Sequence, residues 1–534
     1  MSVLTAETLA DAPTPPFDRR SRVTRRSPVL VGCALLASAF LLVPLGALIA
    51  DVAQAGHAEI ASVLFRPRSA QLLGNTLLLA LTVTPLTMVI GTALAWVTVR
   101  GGFAGARVWT ILLVLPSTMP DFVVGYTWHT LAPSLAPLAA ATLVMTTANY
   151  PLVYLPVMAA LQRADPSVEE AARSLGAGPW RTFFRVTLPP LLPALSSGAL
   201  VVAMTLISEY GAFEIVRFQT FTTEIFTEFQ FNPAAATALS IPLVLLAVVI
   251  LAGESMIPRR GAAMRASGRR LAPLRLPLPA RLGVYAGLSS VVLISLGVPL
   301  ITLVGWMFST QHTTLPAEAT LAQATGTTFL YCAAGAILAV IVALPIAFLS
   351  AWRGGRLSTV LERGSYLVLA LPGVVVALSL VFFTVHVAYP LYETNALVII
   401  AYAFLTFPLA LSCLLVSARQ LPPDFATVAR SLGRGPIYVF CFVTLPLITP
   451  GLLAAVCLVF LTATTELTAT LVLAPLGVQT LTTQFWAFQS EGAYGAAAPY
   501  AFVIVLISMI PGALLALWFR NGGTRRSRTL QVSE

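Results

Sequence analysis

Lysine is missing altogether from the 534 residues, so every one of the 31 basic side chains is an arginine. A phosphate-binding loop of the G-x-x-x-x-G-K-[ST] type needs that lysine to reach the β and γ phosphates. Any ATP hydrolysis tied to this chain must therefore come from another one. Charge is scarce too: 10% of the residues are charged and 57% are hydrophobic, against roughly 25% charged in a soluble domain. With a mean hydropathy of +0.87 and apolar stretches along its whole length, the chain reads as one polytopic membrane protein. Cysteine is sparse and unpatterned. Cys33, Cys332, Cys413, Cys441 and Cys457 are odd in number, without a C-x-x-C pair, which excludes a disulfide framework and leaves them as small membrane hydrophobes. His57, His129, His312 and His386 are equally dispersed, with no H-E-x-x-H spacing. Neither a catalytic metal centre nor any other cofactor is expected.

A helix crossing a bilayer needs about 20 mostly apolar residues. Twelve windows meet that test: 29–51, 72–98, 108–131, 137–161, 186–208 and 234–256, then 282–308, 326–351, 364–388, 395–417, 442–465 and 495–519. Those at 108–131 and 364–388 contain Pro and Gly that predict broken or kinked helices. Arginines collect in alternate loops, as they do on the cytoplasmic side of membrane proteins. On that alternation 28 of the 31 fall on one side, leaving Arg66, Arg68 and Arg217 opposite. The expected layout is a cytoplasmic tail over 1–28 leading into an uncleaved first span, and a six-span unit over 29–256. An arginine-rich cytoplasmic linker over 257–281, a second six-span unit over 282–519 and a cytoplasmic tail over 520–534 complete it.

The two units resemble each other. ARSLGAGPWRTFFRVTLPPLLP from Ala172 aligns without a gap on ARSLGRGPIYVFCFVTLPLITP from Ala429, 257 residues on, and PDFVVG from Pro120 matches PGVVVA from Pro372. Equal span numbers in equal orientation make this a parallel repeat about an axis along the membrane normal. A pathway is expected between the halves.

The repeated segment opens on helix signals. After Pro166, Ser167 suits an N-cap and Glu170 would complete a capping box, while Gly176 suits the helix end. In the second copy Asp424 takes the N-cap place after Pro423, and Gly433 the end. Glu170, Ala171 and Ala172, then Gly176, Val186, Leu188 and Pro189, resemble at full spacing the E-A-A loop of binding-protein-dependent ABC importer permeases. The second copy keeps Ala429, Gly433, Val443, Leu445 and Pro446 but has Thr427 and Val428 in place of the glutamate and first alanine.

That resemblance implies an all-α polytopic membrane protein of twelve transmembrane helices, in two tandem six-helix ABC importer permease (MetI-like, type I) repeats. It implies a transport subunit, not an enzyme, in a bacterial inner membrane, served by two copies of an ABC ATPase subunit and by a periplasmic or extracellular substrate-binding protein. The loop helices would be the coupling helices that seat in the ATPase. Two halves fused in one chain, with the segments Ser208–Glu209–Tyr210–Gly211–Ala212 and Thr465–Glu466–Leu467–Thr468, look most like ferric-iron importer permeases. Thiamine, phosphonate and polyamine remain open as cargo. An ion-gradient-driven secondary transporter is the rival of another class, and the paired loop helices speak against it because it needs no ATPase dock.

Ionisable groups at membrane depth are costly and default to functional candidates. Asp121 within the third window, and Glu209 and Glu466 at the ends of matching windows, are the pathway candidates. The roles open to them are attracting a cation or gating the pathway, accepting hydrogen bonds from backbone freed by Pro or Gly, and simply meeting water at the outer surface. Glu209, Glu214, Glu224 and Glu228 together offer either an acidic dock for a basic face of the binding protein or a solvated loop. The linker from Arg259 to Arg281 has no interleaved aromatics, so membrane lipid, not nucleic acid, is its expected partner.

Overall fold

The computed structural model describes residues 28–102, 105–256, 277–308, 316–353, 355–365, 368, 371–421 and 424–509. The expected tails, most of the expected linker and the end of the last apolar window lie outside the described residues. Regular structure among them is entirely helical. Among the described residues nine helices are long and apolar enough to cross a membrane: Pro28–Ala55, Pro67–Arg100, Pro137–Arg163, Pro179–Ser208, Pro233–Gly253, Leu278–Phe308, Glu318–Trp352, Asn395–Gln420 and Pro436–Thr464. Ala106–Thr118 and Asp121–Leu131 make a tenth if the pair, bent by 90°, counts as one span. Gly373–His386 and Tyr494–Met509 are apolar but shorter.

The bend follows from Pro120. A residue before proline is pushed out of the helical region, and Met119 is extended (ψ 131°), as is Pro120 itself (ψ 138°), before Asp121 opens the next helix. The window expected at 364–388 is divided likewise. Arg356–Ser365 is a separate helix and Gly373–His386 has 14 residues, a rise of roughly 21 Å.

Prolines also shape the repeated segment. Phe183–Thr187 and Phe440–Thr444 are π turns, each directly before a Leu-Pro pair that starts a long helix, Leu188–Ser208 and Leu445–Thr464. Pro189 and Pro446 have no N–H for the carbonyl four residues back, and their rings crowd it, so the ladder widens locally.

The helices of each half pack closely through small residues, as membrane helices do. A β-carbon on Gly91 of Pro67–Arg100 would lie 2.9 Å from the Tyr154 backbone nitrogen of Pro137–Arg163, and one on Gly198 would lie 2.8 Å from Val153 Cα. Both halves complete their cores with helices of the other. Ala34, Ala37, Leu41 and Leu48 of the first helix are buried with Ala401, Phe404 and Val374 of the second half. Reciprocally, Leu288, Leu296 and Leu303 are buried with Val83, Val123 and Met145 of the first. Leu41 and Leu48 correspond to Leu296 and Leu303 at one offset, 255, so the exchange obeys the repeat.

Candidate functional site

The first loop helix runs Pro166–Ser174. Its N-cap is Asp165, whose carboxylate accepts the Ser167 N–H at 3.0 Å; the expected capping box from Ser167 to Glu170 does not form. Pro166 accounts for the shift, since its fixed φ suits the first helical position and its missing N–H costs nothing there, which moves the cap one residue before it. The end is as expected. Gly176 has φ +84°, its N–H reaches Arg173 O at 2.9 Å and the Ala177 N–H reaches Ala172 O at 3.0 Å, the paired closure of a Schellman cap.

Among the described side chains of this helix only Glu169 is buried. It forms an ion pair with Arg100, at the end of Pro67–Arg100, and accepts the Thr187 hydroxyl at 2.8 Å. Arg173 stands 3.7 Å away on the next turn. Arg100 and Glu169 are 4% and 8% exposed at the side chain, so one buried ion pair ties the loop helix to the ends of two long helices. Neither residue was a sequence candidate; the signal was an arginine closing an apolar helix and a second glutamate beside the motif glutamate. Glu170 and Ala171 are exposed and Ala172 is half-buried. Leu175 (87% exposed) and Trp180 (73%) stand out as large apolar side chains.

The second loop helix, Asp424–Ser431, repeats this backbone. Gly433 has φ +77° and the Arg434 N–H reaches Ala429 O at 3.2 Å. Leu432 (74%) and Ile437 (79%), the counterparts of Leu175 and Trp180, are exposed too. Leu188, Pro189, Leu445 and Pro446 begin the helices that run from these loops to Ser208 and Thr464. The Asp424 side chain lies outside the described residues. Ala426 occupies the position of Glu169, so the second loop has no carboxylate there.

At the far ends of those helices stand Glu209 and Glu466. Glu209 accepts the Ala212 N–H at 2.8 Å and Glu466 the Ala469 N–H at 3.0 Å, each closing the start of a short helix, Gly211–Ile215 and Thr468–Leu473. Asp121 accepts from Asn149 at 3.3 Å. All three are half-buried, and Glu209 lies within electrostatic range of both Asp121 and Glu466. The backbone-capping role is therefore present in both glutamates. No group of three or more His, Cys, Asp or Glu among the described residues is arranged to hold a metal ion.

These carboxylates flank a seam of aromatic rings between the halves. Phe122 and Tyr126 lie 5.3 and 5.4 Å from Phe485, Tyr210 lies 5.4 Å from Trp486, and Tyr126 donates its hydroxyl proton to Tyr494 O at 2.7 Å. Tyr210 belongs to the segment that resembles the ferric-iron permeases, whereas Phe122, Tyr126, Phe485, Trp486 and Tyr494 had no signal in the sequence, because aromatics in membrane segments carry no periodic mark of their own.

The acidic segment expected on the outer side is partly neutralised. Glu224 takes a two-nitrogen contact from Arg68, 2.7 Å at its shortest, and Glu228 pairs with Arg66 at 3.4 Å. With Glu209 turned inward, Glu214 alone of the four is exposed, so a continuous acidic dock is not present.

Two stretches, residues 87–260 and 343–526, match the family described as binding-protein-dependent transport system inner membrane component. The Fe(3+)-transport system permease protein FbpB 2 of Haemophilus influenzae is 37% identical over 484 residues, covering 89% of this chain and 95% of that protein. The ferric transport system permease protein FbpB of Actinobacillus pleuropneumoniae is 22% identical over 501 residues, 84% of this chain and 71% of its own. A probable sulfate transport system permease protein of Nephroselmis olivacea is 34% identical over 191 residues, 33% of this chain and 67% of its own. Duplicated family segments, each carrying one loop helix, and a relative similar along nearly its whole length place this chain in the family of binding-protein-dependent transport system inner membrane components.

Proposed function

We propose that this chain is the membrane-spanning subunit of an ATP-driven importer that takes ferric iron from a periplasmic binding protein and passes it to the cytoplasm. Twelve spans in two six-span units, 29–256 and 282–519, would carry both termini and the linker 257–281 on the cytoplasmic side, the arrangement the arginine alternation favours. Two copies of a separate ATPase would each seat one loop helix, through Glu170, Ala171, Ala172 and Gly176 in one half and Ala429 and Gly433 in the other. Leu188–Pro189 and Leu445–Pro446 would pass the motion into the long helices.

The observation that carries this reading is the pair of loop helices. Two short helices with the same glycine closure, the same exposed apolar positions and the same exit into a π turn are costly to leave in water, and a nucleotide-driven partner at each accounts for both. The cargo reading rests on similarity along the chain to the Haemophilus influenzae protein and on charge. Asp121, Glu209 and Glu466 at the seam repel an oxyanion and attract a cation, whereas the sulfate permease relative matches only a third of the chain. Without a ligand cage, weak attraction at these carboxylates lets a trivalent cation pass without trapping it.

The test is purification from its host with native partners, followed by uptake of radioactive ferric iron into vesicles holding the complex. An ATPase at two copies per chain and ATP-dependent iron uptake are expected. A chain that purifies alone and moves cargo on an ion gradient would overturn the class; an intact complex that moves sulfate but no iron would overturn the cargo alone.

A further inference from the structure

A cavity of about 650 Å³ opens on the flank of the first half, where Leu278–Phe308 crosses Pro67–Arg100 and Pro137–Arg163. Leu86, Ile90, Leu143, Val291 and Ile294 line it, together with Thr146, Thr147 and Tyr150. The two halves explain why it is there. Pro151 corresponds to Pro408 at an offset of 257, and Val298-Pro299-Leu300 to Val43-Pro44-Leu45 at 255. Thr147 is then the counterpart of Phe404, and Ser295 that of Phe40. In the second half those two rings stack at 4.4 Å with 14° between their planes and fill the same crossing. In the first half two small hydroxyl residues stand where the rings would be, and the space is left open.

That space is neither a closed void nor a polar well. Leu86 and Ile294 at its edge are 44% and 38% exposed, and Leu81 and Val89 on the same helix 72% and 67%, so it is continuous with an apolar surface of the kind that faces hydrocarbon. Its lining is carbon apart from a few hydroxyls at its inner end, and ordered water, which needs two to four polar partners each, could occupy that end but not fill the space. A packing gap costs the contacts its lining lacks, and the bilayer supplies the one material that fills it at no cost in desolvation. Inside, the Thr146 and Tyr150 hydroxyls are both buried without a hydrogen-bond partner, where the second half has Ala403 and Phe407.

We propose that the acyl chain of a membrane phospholipid occupies this cavity and takes the place of the missing aromatic pair, wedging the crossing helix Leu278–Phe308 against the first half. The occupant differs from a lipid of the surrounding annulus in being held between three helices.

The experiment uses the full chain with its partners in phosphatidylethanolamine nanodiscs doped with a phospholipid bearing a diazirine midway along one acyl chain. After photolysis, adducts are mapped by mass spectrometry. Adducts at Thr142–Tyr150 and Val291–Ile294 are expected about fivefold above those at Leu81 and Val89, the contrast of a formed pocket over a free surface. In Thr147→Phe/Ser295→Phe, which restores the ring pair, they should fall to the Leu81 and Val89 level while those reference adducts stay unchanged. Thr142→Trp, which enlarges a lining side chain of Pro137–Arg163 and leaves the sequence of the crossing helix intact, is measured in parallel and should lower the cavity adducts likewise, so that misfolding of the double variant does not decide the matter. Equal labelling of cavity and annulus in the parent protein, or cavity labelling unchanged in a folded filled variant, would overturn the proposal.

Discussion

Replacing Glu169 with Gln should uncouple the first loop helix from the membrane helices without altering its own structure. The helix has only nine residues, too few to hold itself in place by helix propensity, and Glu169 is its one buried side chain among those described. With Arg100 and Glu169 4% and 8% exposed, removing one partner leaves an uncompensated buried charge, at a cost of about 3–5 kcal/mol. The Schellman closure and the Asp165 cap contribute roughly 1 kcal/mol each and concern the helix alone, so they cannot compensate. At 1.4 kcal/mol per factor of ten, the docked arrangement loses roughly two to three and a half orders of magnitude in population. The assay is cargo-stimulated ATP hydrolysis by the purified complex, against basal hydrolysis, for Glu169→Gln, Arg100→Gln and the double variant at equal membrane abundance. Glu169→Gln should lose stimulation while keeping the partner ATPase bound, and Arg100→Gln should lose less of it, since Arg173 still stands 3.7 Å from Glu169. The double variant, which buries two amides in place of an orphaned ion, should recover part of it. Stimulation equal to the parent in either single variant would refute the claim that this ion pair transmits motion.

Gly176→Val and Gly433→Val each place a β-branched residue at a positive φ, a strain of roughly 1–2 kcal/mol. Because a β-carbon at either site meets nothing within 4 Å, any loss of transport is attributable to the backbone turn, and full coupling in both variants would remove these loops as transmission elements. A cysteine at Glu214 should react with an impermeant thiol reagent only from outside and one at Arg265 only from the cytoplasmic side; the reverse pattern would undo the orientation. Reversing Glu224 to Arg sets it against Arg68, so a loss of stability that Arg68→Glu restores is expected, with binding-protein docking unchanged once the ion pair is re-formed.

What was legible in the chain was its periodicity and its repetition. Apolar windows located nine long helices among the described residues, ten with the bent pair, because a bilayer sets a minimum length for a span, and Gly176 and Gly433 marked helix ends because only glycine takes a positive φ without strain. Pro120 foretold a break but not its 90° angle, which depends on how Asp121–Leu131 packs against its neighbours. The cap at Asp165 was misplaced by one proline, whose preference for the first helical turn outweighs the capping-box pattern. Arg100 and Glu169 stayed hidden for a different reason: 69 residues separate them, and a buried pair formed across a fold has no local spacing to betray it. The same holds for Arg68 and Glu224, 156 residues apart, whose ion pair breaks the continuity of the acidic run and leaves Glu214 exposed.

The carboxylates at the seam allow charge and hydrogen bonding to be separated by chemistry. Glu209 and Glu466 each accept one backbone N–H, from Ala212 and Ala469, and glutamine keeps an oxygen that can accept it while losing the charge. Alanine loses both. If the hydrogen bond is their whole contribution, Glu209→Gln and Glu466→Gln should transport like the parent, and only the alanine variants should suffer, by the 0.5–2 kcal/mol typical of a lost cap. If charge draws the cation through the seam, the glutamine variants should retain thermal stability and basal ATPase yet lose iron uptake, most of all with Asp121→Asn added, since Asp121 and Glu209 lie within electrostatic range of each other. Raising ionic strength should then mimic the substitutions only weakly, because half-buried charges are screened less than exposed ones. Iron uptake in the triple amide variant at the parent rate would refute a role for charge, and would leave the aromatic seam as the feature that decides what passes.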